Sequence, residues 1–486
     1  MASTEQAPLP VSPPPLRRPA DLPGPFPWPL VGNLLQFDRQ NLHAQIEAWA
    51  RRHGPVYRLR FGRTDAVVVS DPDTIQQALR DRPDTWRRYS RIQSVMDEIG
   101  IQGVFTAEGE TWRRQRRIVM SAFDPAHLRR FFPSLLRVTD RLRQRWIDAA
   151  RHGEVLNLQR TLMRYTVDVT AGLAFGVEMN TIQKEHSELH SHLDKVFPMV
   201  FRRANSPLPY WRWLTWLPSV RAFDVHVRAV HRVVGELIAA AQTRLEAEPR
   251  RCSEPADLLE ALLAARDDEG RPLTEQEVAG NVFTMLLAGE DTTANTLAWT
   301  IYFLSRHPEA WRRVVEEVDT TLAPAALPPS LEAAGALSFT EACIHEAMRL
   351  HPVAPVRELE ACEDTQIDGL LIPKGAVLVC MMRAATLDEN RIEHAQEFRP
   401  QRWLEGRQAL NASSPKRLSM PFGAGPRLCP GRYLAMLEMS MVLAMLARNF
   451  ELREVGTREG PVAPERLASA LLPIGLRMRL SERRPR

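Results

Sequence analysis

The chain has 486 residues, 44% hydrophobic and 25% charged, with a formal net charge of +4, the balance of a globular protein with a large core. That charge is too small and too evenly spread for a nucleic-acid binder, and the length leaves room for two or three domains. Five cysteines, odd in number and without C-x-x-C spacing, argue against a disulfide framework and for a reducing compartment.

Residues 1–22 are rich in Pro, Ala and Ser and read as a disordered tail without an apolar run long enough for a signal peptide or a membrane span. A proline-rich stretch follows, Leu22-Pro23-Gly24-Pro25-Phe26-Pro27-Trp28-Pro29. Val56 to Phe61 and Ala66 to Val69, around Gly62-Arg63, predict a β-hairpin. Trp112 and Arg116 are four apart and share one helix face. Pro209 to Trp216 interleaves aromatic residues with Arg212 and reads as a channel rim or plain packing in preference to a membrane-surface patch. Thr274-Glu275-Gln276-Glu277 is a capping box opening a helix that runs to about Ser305, ahead of His307-Pro308. At ~1.5 Å per residue, its roughly 32 residues span about 48 Å, enough to cross the molecule.

Within that helix lies Ala288-Gly289-Glu290-Asp291-Thr292-Thr293. A mid-helix glycine costs about 1 kcal/mol against alanine, so Gly289 predicts close approach by something flat or a local opening. The Thr292 hydroxyl is placed to bond the Ala288 carbonyl one turn back. A second capping box, Ser338-Phe339-Thr340-Glu341, opens a helix ending at His351-Pro352 that carries Glu346 and Arg349 on one face. Gly375 to Met381 and Leu476 to Leu480 predict further strands. No linker divides the chain, so the fold expected is mainly α with a small β subdomain, one domain over 23–486.

The most informative segment is Phe422-Gly423-Ala424-Gly425-Pro426-Arg427-Leu428-Cys429-Pro430-Gly431. It sets Cys429 on a glycine-punctuated turn entering an apolar helix, with Pro430 suited to the first helical position. Unpaired amides and the helix dipole favour a thiolate there, a ligand for a soft or borderline metal.

This segment resembles the haem-ligand motif of the cytochrome P450 family, Phe-x-x-Gly-x-Arg-x-Cys-x-Gly, at every fixed position. Ala288 to Thr292 is similar to the family's (Ala/Gly)-Gly-x-(Asp/Glu)-Thr. Glu346-x-x-Arg349 with Arg402 of Phe398-Arg399-Pro400-Gln401-Arg402-Trp403 resembles its buried triad, with Gln401 and Trp403 departing from the commonest residues. The resemblance spans about Pro23 to Leu480. It implies the P450 fold, with a long central helix over a haem b and the cysteine loop on the opposite face.

By the same resemblance Cys429 is the metal ligand, and Asp291 and Thr292 are the acid–alcohol pair that delivers protons. Trp112, Arg116, Arg357, Phe422, Arg427, Ala288 and Gly289 lie against the cofactor, the arginines on its propionates. The triad serves folding. The pocket is lined from around Arg91 to Phe105, by Phe283 and Leu287, by Val353 and Ala354, and by the turn at Ala470 to Leu472. The implied activity is insertion of one oxygen atom from O2 into an apolar small molecule, by hydroxylation or epoxidation. A peroxygenase or isomerase, and a haem sensor or carrier, are the alternatives. Electrons are expected from a separate ferredoxin and its reductase, docking on Arg113, Arg114, Arg117, Lys416, Arg417 and Arg432. Family members with membrane anchors carry them ahead of the proline-rich stretch, so a soluble, cytoplasmic and, from its arginine-rich composition, bacterial enzyme is expected.

Overall fold

The computed structural model describes residues 16–38, 40–62, 64–123, 125–184, 188–204, 206, 208–404 and 414–483. Helices carry most of it, and the described strands form four small sheets. The expected hairpin pairs Val56–Phe61 with Thr64–Val69, Val56 opposite Val69, while Arg63 lies outside the described residues. Val377–Met381 then lies parallel to Thr64–Val69, and Val356–Ala361 and Trp86–Arg88 complete a five-stranded sheet. Val377–Met381 is buried along its whole length, which is why it reads as an unbroken apolar run. Arg477–Glu482 closes a second sheet between Leu156–Asn157 and Phe450–Gly456.

The central helix, Glu275–Arg306, passes through two apolar cores. Its first half contributes Val278, Val282, Phe283 and Leu286 to a core shared with Trp112, Phe175 and Phe223. Its second half contributes Leu297, Ala298, Trp299 and Ile301 to one shared with Trp146, Ile344, Val442 and Phe450. A helix buried nearly all round needs no polar face over those lengths. Between the two cores Ala288 is exposed and Gly289, Asp291 and Thr292 are half-buried, so the helix is accessible at the motif. The capping box forms as expected: Thr274 N–H donates to Glu277 Oε2 at 2.8 Å, and Glu277 N–H to Thr274 Oγ1 at 3.2 Å.

The second capping box does not form. Helix Ser338–Leu350 has Leu337 at its N-cap without a side-chain cap. Its free amides are taken by Glu317 of helix Pro308–Leu322: Phe339 N–H donates to Oε1 at 2.7 Å and Thr340 N–H to Oε2 at 2.8 Å. A full carboxylate at a helix N-terminus outcompetes a local hydroxyl. The triad on this helix is closed as implied. Glu346 accepts from Arg349 Nε at 2.8 Å and Arg402 Nε at 3.0 Å, and Glu346 and Arg349 are fully buried. Trp403, a departure from the family pattern, supplies a further donor, its Nε1 lying 2.8 Å from Glu346 Oε2.

The tail expectation fails for residues 16–22. Arg17 N–H donates to the Gly369 carbonyl at 3.1 Å, Leu371 N–H returns to Arg17 at 2.8 Å, and Leu22 is buried. An edge strand offering free backbone groups holds this segment despite its composition. Residues 1–15 lie outside the described residues. No helix among the described residues is long and apolar enough to cross a membrane.

Candidate functional site

The Cys429 turn is closed by its own backbone, Cys429 N–H donating to the Phe422 carbonyl at 3.0 Å, while Gly423 and Gly425 take φ of 78° and 68°. Pro430 falls outside the helix: Gly431 is the N-cap and Arg432–Asn449 the helix. The helix start therefore reaches the sulfur through one group, the Gly431 N–H bonded to it. Burial pushes the Cys429 thiol above its ordinary value, against the pull of that N–H and of Arg357, Arg116 and Arg432. A metal cation held at this sulfur would favour its thiolate form.

Around the turn stands a cluster of guanidinium groups. Trp112 and Arg116 share helix Gly109–Ala122 as expected, and Arg116 Nη2 donates to the Leu428 carbonyl. Arg427 lies 4.5 Å above the Trp112 ring and bonds the Ala107 carbonyl at 2.7 Å and the Glu108 carboxylate. Arg357, on strand Val356–Ala361, is close enough for the Cys429 sulfur to act on it. The sequence did not single out Arg82 and Arg88, which complete the cluster. Arg82 is 5% exposed, and its closest carboxylate, Glu108, is 3.8 Å away. Arg88 lies 3.7 Å over the Phe105 ring.

The neighbours repel: burial, with Arg82 and Arg116 beside it, lowers Arg427 to about 9, and burial lowers Arg82 to about 10 against the pull of Glu108. Arg88 is pushed well down by burial and by Arg82, Arg357 and Arg427. Arg82 Nε and Nη2 and Arg427 Nε are buried without a hydrogen-bond partner. Buried donors and excess positive charge of this kind call for anionic acceptors. The two propionates of a haem b meet that demand, and the cysteine sulfur is the donor its iron takes, so the residues present fit the group.

On the central helix Thr292 Oγ1 donates to the Ala288 carbonyl at 2.6 Å, as read from the sequence. Asp291 Oδ2 accepts from Ser469 Oγ at 2.5 Å. The close approach expected at Gly289 is made by protein: a Cβ there would lie 2.6 Å from Thr170 Oγ1 of helix Leu158–Phe175. Gly289 therefore admits a helix crossing and not a flat ligand, while Ala288 on the same turn is exposed.

The expected pocket segments divide. Val353 and Leu471 come together, Leu471 N–H donating to the Val353 carbonyl at 2.8 Å. Phe283 is 1% exposed, with its ring 6.0 Å from His231, so it belongs to the core and not to the pocket. The loop before Trp112 crosses the central helix where Gly103 and Gly280 face each other. A Cβ on Gly103 would lie 2.4 Å from the Gly280 carbonyl oxygen, and one on Gly280 2.6 Å from Gly103 N. Val104 N–H donates to Asn281 Oδ1 at 2.9 Å and pins the crossing. In the aromatic segment Trp211 is buried and donates to Glu98 Oε2 at 2.7 Å, whereas Trp213 and Trp216 are exposed.

The expected docking patch is largely neutralised by its own carboxylates. Arg113 pairs with Asp84 and Glu110, Arg114 with Asp267 and Glu277, Arg117 with Asp268, and Arg417 with Asp73.

A half-buried cysteine turn ringed by guanidinium groups, with Asp291 and Thr292 side by side on a long central helix, has the donor set of a haem-thiolate protein. The chain belongs to the cytochrome P450 family, whose model, "Cytochrome P450", matches residues 22–478, and it is accordingly a haem-thiolate monooxygenase. Pentalenene oxygenase of Streptomyces avermitilis is 30% identical, over 94% of this chain and 96% of that protein. The bifunctional cytochrome P450/NADPH–P450 reductase of Gibberella moniliformis is 28% identical over 89% of this chain, which covers 38% of that protein. The crystal structure of the cytochrome P450DA heme domain superposes with a TM-score of 0.83 at 22% identity, over 97% of this chain and 99% of that one.

Proposed function

We infer that the enzyme inserts one oxygen atom of O2 into an apolar small molecule, by hydroxylation or epoxidation, with electrons from a separate ferredoxin and its reductase. When bound, the haem supplies the iron at which dioxygen is cleaved, its reactivity set by the thiolate ligand. Cys429 holds that iron from a turn fixed by the Phe422 carbonyl and the Gly431 N–H. Arg82, Arg88, Arg116, Arg357 and Arg427 hold the propionates, and Trp112 supports Arg427 from below. Thr292 carries a proton on Oγ1 toward the cavity, and Asp291 resupplies it from its carboxyl group. Val353, Ala354, Ala470 and Leu472 offer apolar walls, which suits a hydrocarbon-like substrate and agrees with a relative named for oxygenating pentalenene. Five free cysteines suit a reducing compartment, and we place the enzyme in the cytoplasm.

The observation that carries this reading is the cysteine turn set against a cluster of guanidinium groups in which Arg82 and Arg427 keep buried donors without partners. Cys429→Ser is expected to abolish the red-shifted Soret band of the reduced carbon-monoxide complex. Survival of that band would remove Cys429 as the ligand. Product formed with reduced ferredoxin and O2, but not with peroxide alone, separates the monooxygenase from a peroxygenase; no product with either leaves a sensor or carrier.

A further inference from the structure

The C-terminal hairpin pairs Glu465–Leu467 with Leu471–Pro473 and turns through Ala468, Ser469 and Ala470. Its base is fixed from several sides. Leu467 N–H donates to the Gln40 carbonyl at 2.9 Å, Leu471 N–H to Val353 at 2.8 Å and Ile474 N–H to Pro464 at 2.8 Å. Glu465 is held by His43 at 2.9 Å, His351 at 2.8 Å and Arg383 at 3.0 Å. A turn of three small residues on so constrained a base has little freedom. The one polar side chain at its tip, Ser469, ends 2.5 Å from Asp291 Oδ2. Neither motif reading nor spacing connects the two, since they are 178 residues apart.

The geometry points to Ser469 as the positioning residue of the proton-delivery acid: its hydroxyl donates to Asp291 and sets that carboxylate's orientation beside Thr292. This rests on the monooxygenase reading and deepens it. A carboxylate on a short side chain keeps several rotamers unless something holds it, and a hydrogen bond to a charged group is among the stronger ones available. Asp291 sits next to Thr292, whose own hydroxyl is bonded to Ala288. A carboxylate that wanders resupplies that hydroxyl less often. The productive reaction is R–H + O2 + 2 e⁻ + 2 H⁺ → R–OH + H2O, with reduced ferredoxin as electron donor. When protons arrive late, the same two electrons and two protons leave instead as H2O2 and the substrate is unchanged. Ser469 touches neither substrate nor cofactor in this account and acts through Asp291 alone.

The test compares Ser469→Ala, Ser469→Thr and Thr292→Ala in the haem-loaded enzyme. Ser469→Ala is expected to lower product formed per electron pair about tenfold and to raise hydrogen peroxide correspondingly. It should also increase the kinetic solvent isotope effect and leave haem content and the substrate-binding spectral titration unchanged. Ser469→Thr restores the ratio. Independently of turnover, a thermal-unfolding cycle of Ser469→Ala and Asp291→Asn in the ferric enzyme should be non-additive, the double variant losing less Tm than the two single losses combined. An unchanged product ratio in Ser469→Ala, a Ser469→Thr as uncoupled as the alanine variant, or an additive cycle would each overturn the inference. If Thr292→Ala is uncoupled while Ser469→Ala is not, only the role of Ser469 falls. If neither is uncoupled, the proton-delivery reading itself falls.

Discussion

Arg82 is buried, its Nε and Nη2 lack partners, and its closest carboxylate is 3.8 Å away. An uncompensated buried charge costs several kcal/mol, and a similar-sized apolar side chain commonly removes that cost. Arg82→Met is therefore expected to raise the Tm of the haem-free protein while speeding haem loss to an excess of apomyoglobin. A Tm that falls together with haem retention would make Arg82 an ordinary structural residue. At this scale the sequence was uneven. That Trp112, Arg116, Arg357 and Arg427 gather around the Cys429 turn was legible because motif position marks them. Arg82 and Arg88 were not, because all but four of the 63 basic residues are arginines and no spacing distinguishes these two. Gly289 was noticed for a sound reason, its helix-breaking cost, but one chain cannot show whether the crowding object is a cofactor or Thr170.

Among the elements, the central helix was legible nearly to its ends, since its capping box and the following proline are local signals. Helix Ser338–Leu350 had equally clear local signals and takes its cap from elsewhere. Its Ser-x-x-Glu pattern is present, yet the Glu317 carboxylate, more than twenty residues upstream, occupies the amides. Glu317→Ala is expected to destabilise the protein by about 1–3 kcal/mol, as befits a charged group bonded to two backbone N–H donors. Ser338→Ala should stay within roughly 0.5 kcal/mol of wild type, as surface changes away from such features do. Urea denaturation of both variants checks this, and the reverse order would restore the local cap.

At the scale of the whole molecule, the base of the C-terminal hairpin joins distant stretches of chain. Glu465 meets His43, His351 and Arg383, and Arg383 also bonds Glu47 at 2.8 Å. Burial lowers His351 despite Glu465, and Glu465 itself is held far below the carboxylate range by His351, His43 and Arg383 against its own burial. Both folded-state values lie below the unfolded ones, so the unfolded chain binds more protons as pH falls. The histidine contribution fades below about pH 6.5 and the carboxylate contribution below about pH 4.3. Tm is expected to fall between pH 7.5 and 5.5, with a smaller fall in His351→Phe, which keeps an aromatic ring against Trp299. Equal falls in both proteins would dissociate His351 from the acid sensitivity. None of this joining was legible in the sequence, where no local pattern links residues that far apart.

The facing pair Gly103 and Gly280 leaves no room for a single added carbon on either side. Evolution toward a new substrate therefore meets one wall that mutation is barred from thickening, because any side chain at the crossing lifts a loop off the central helix. Variation is left to segments such as the C-terminal hairpin turn Ala468-Ser469-Ala470, whose Ala468 is exposed. That turn also carries the hydroxyl on Asp291. A lineage that retunes what it oxidises through this turn is thus exposed, step by step, to wasting reducing power.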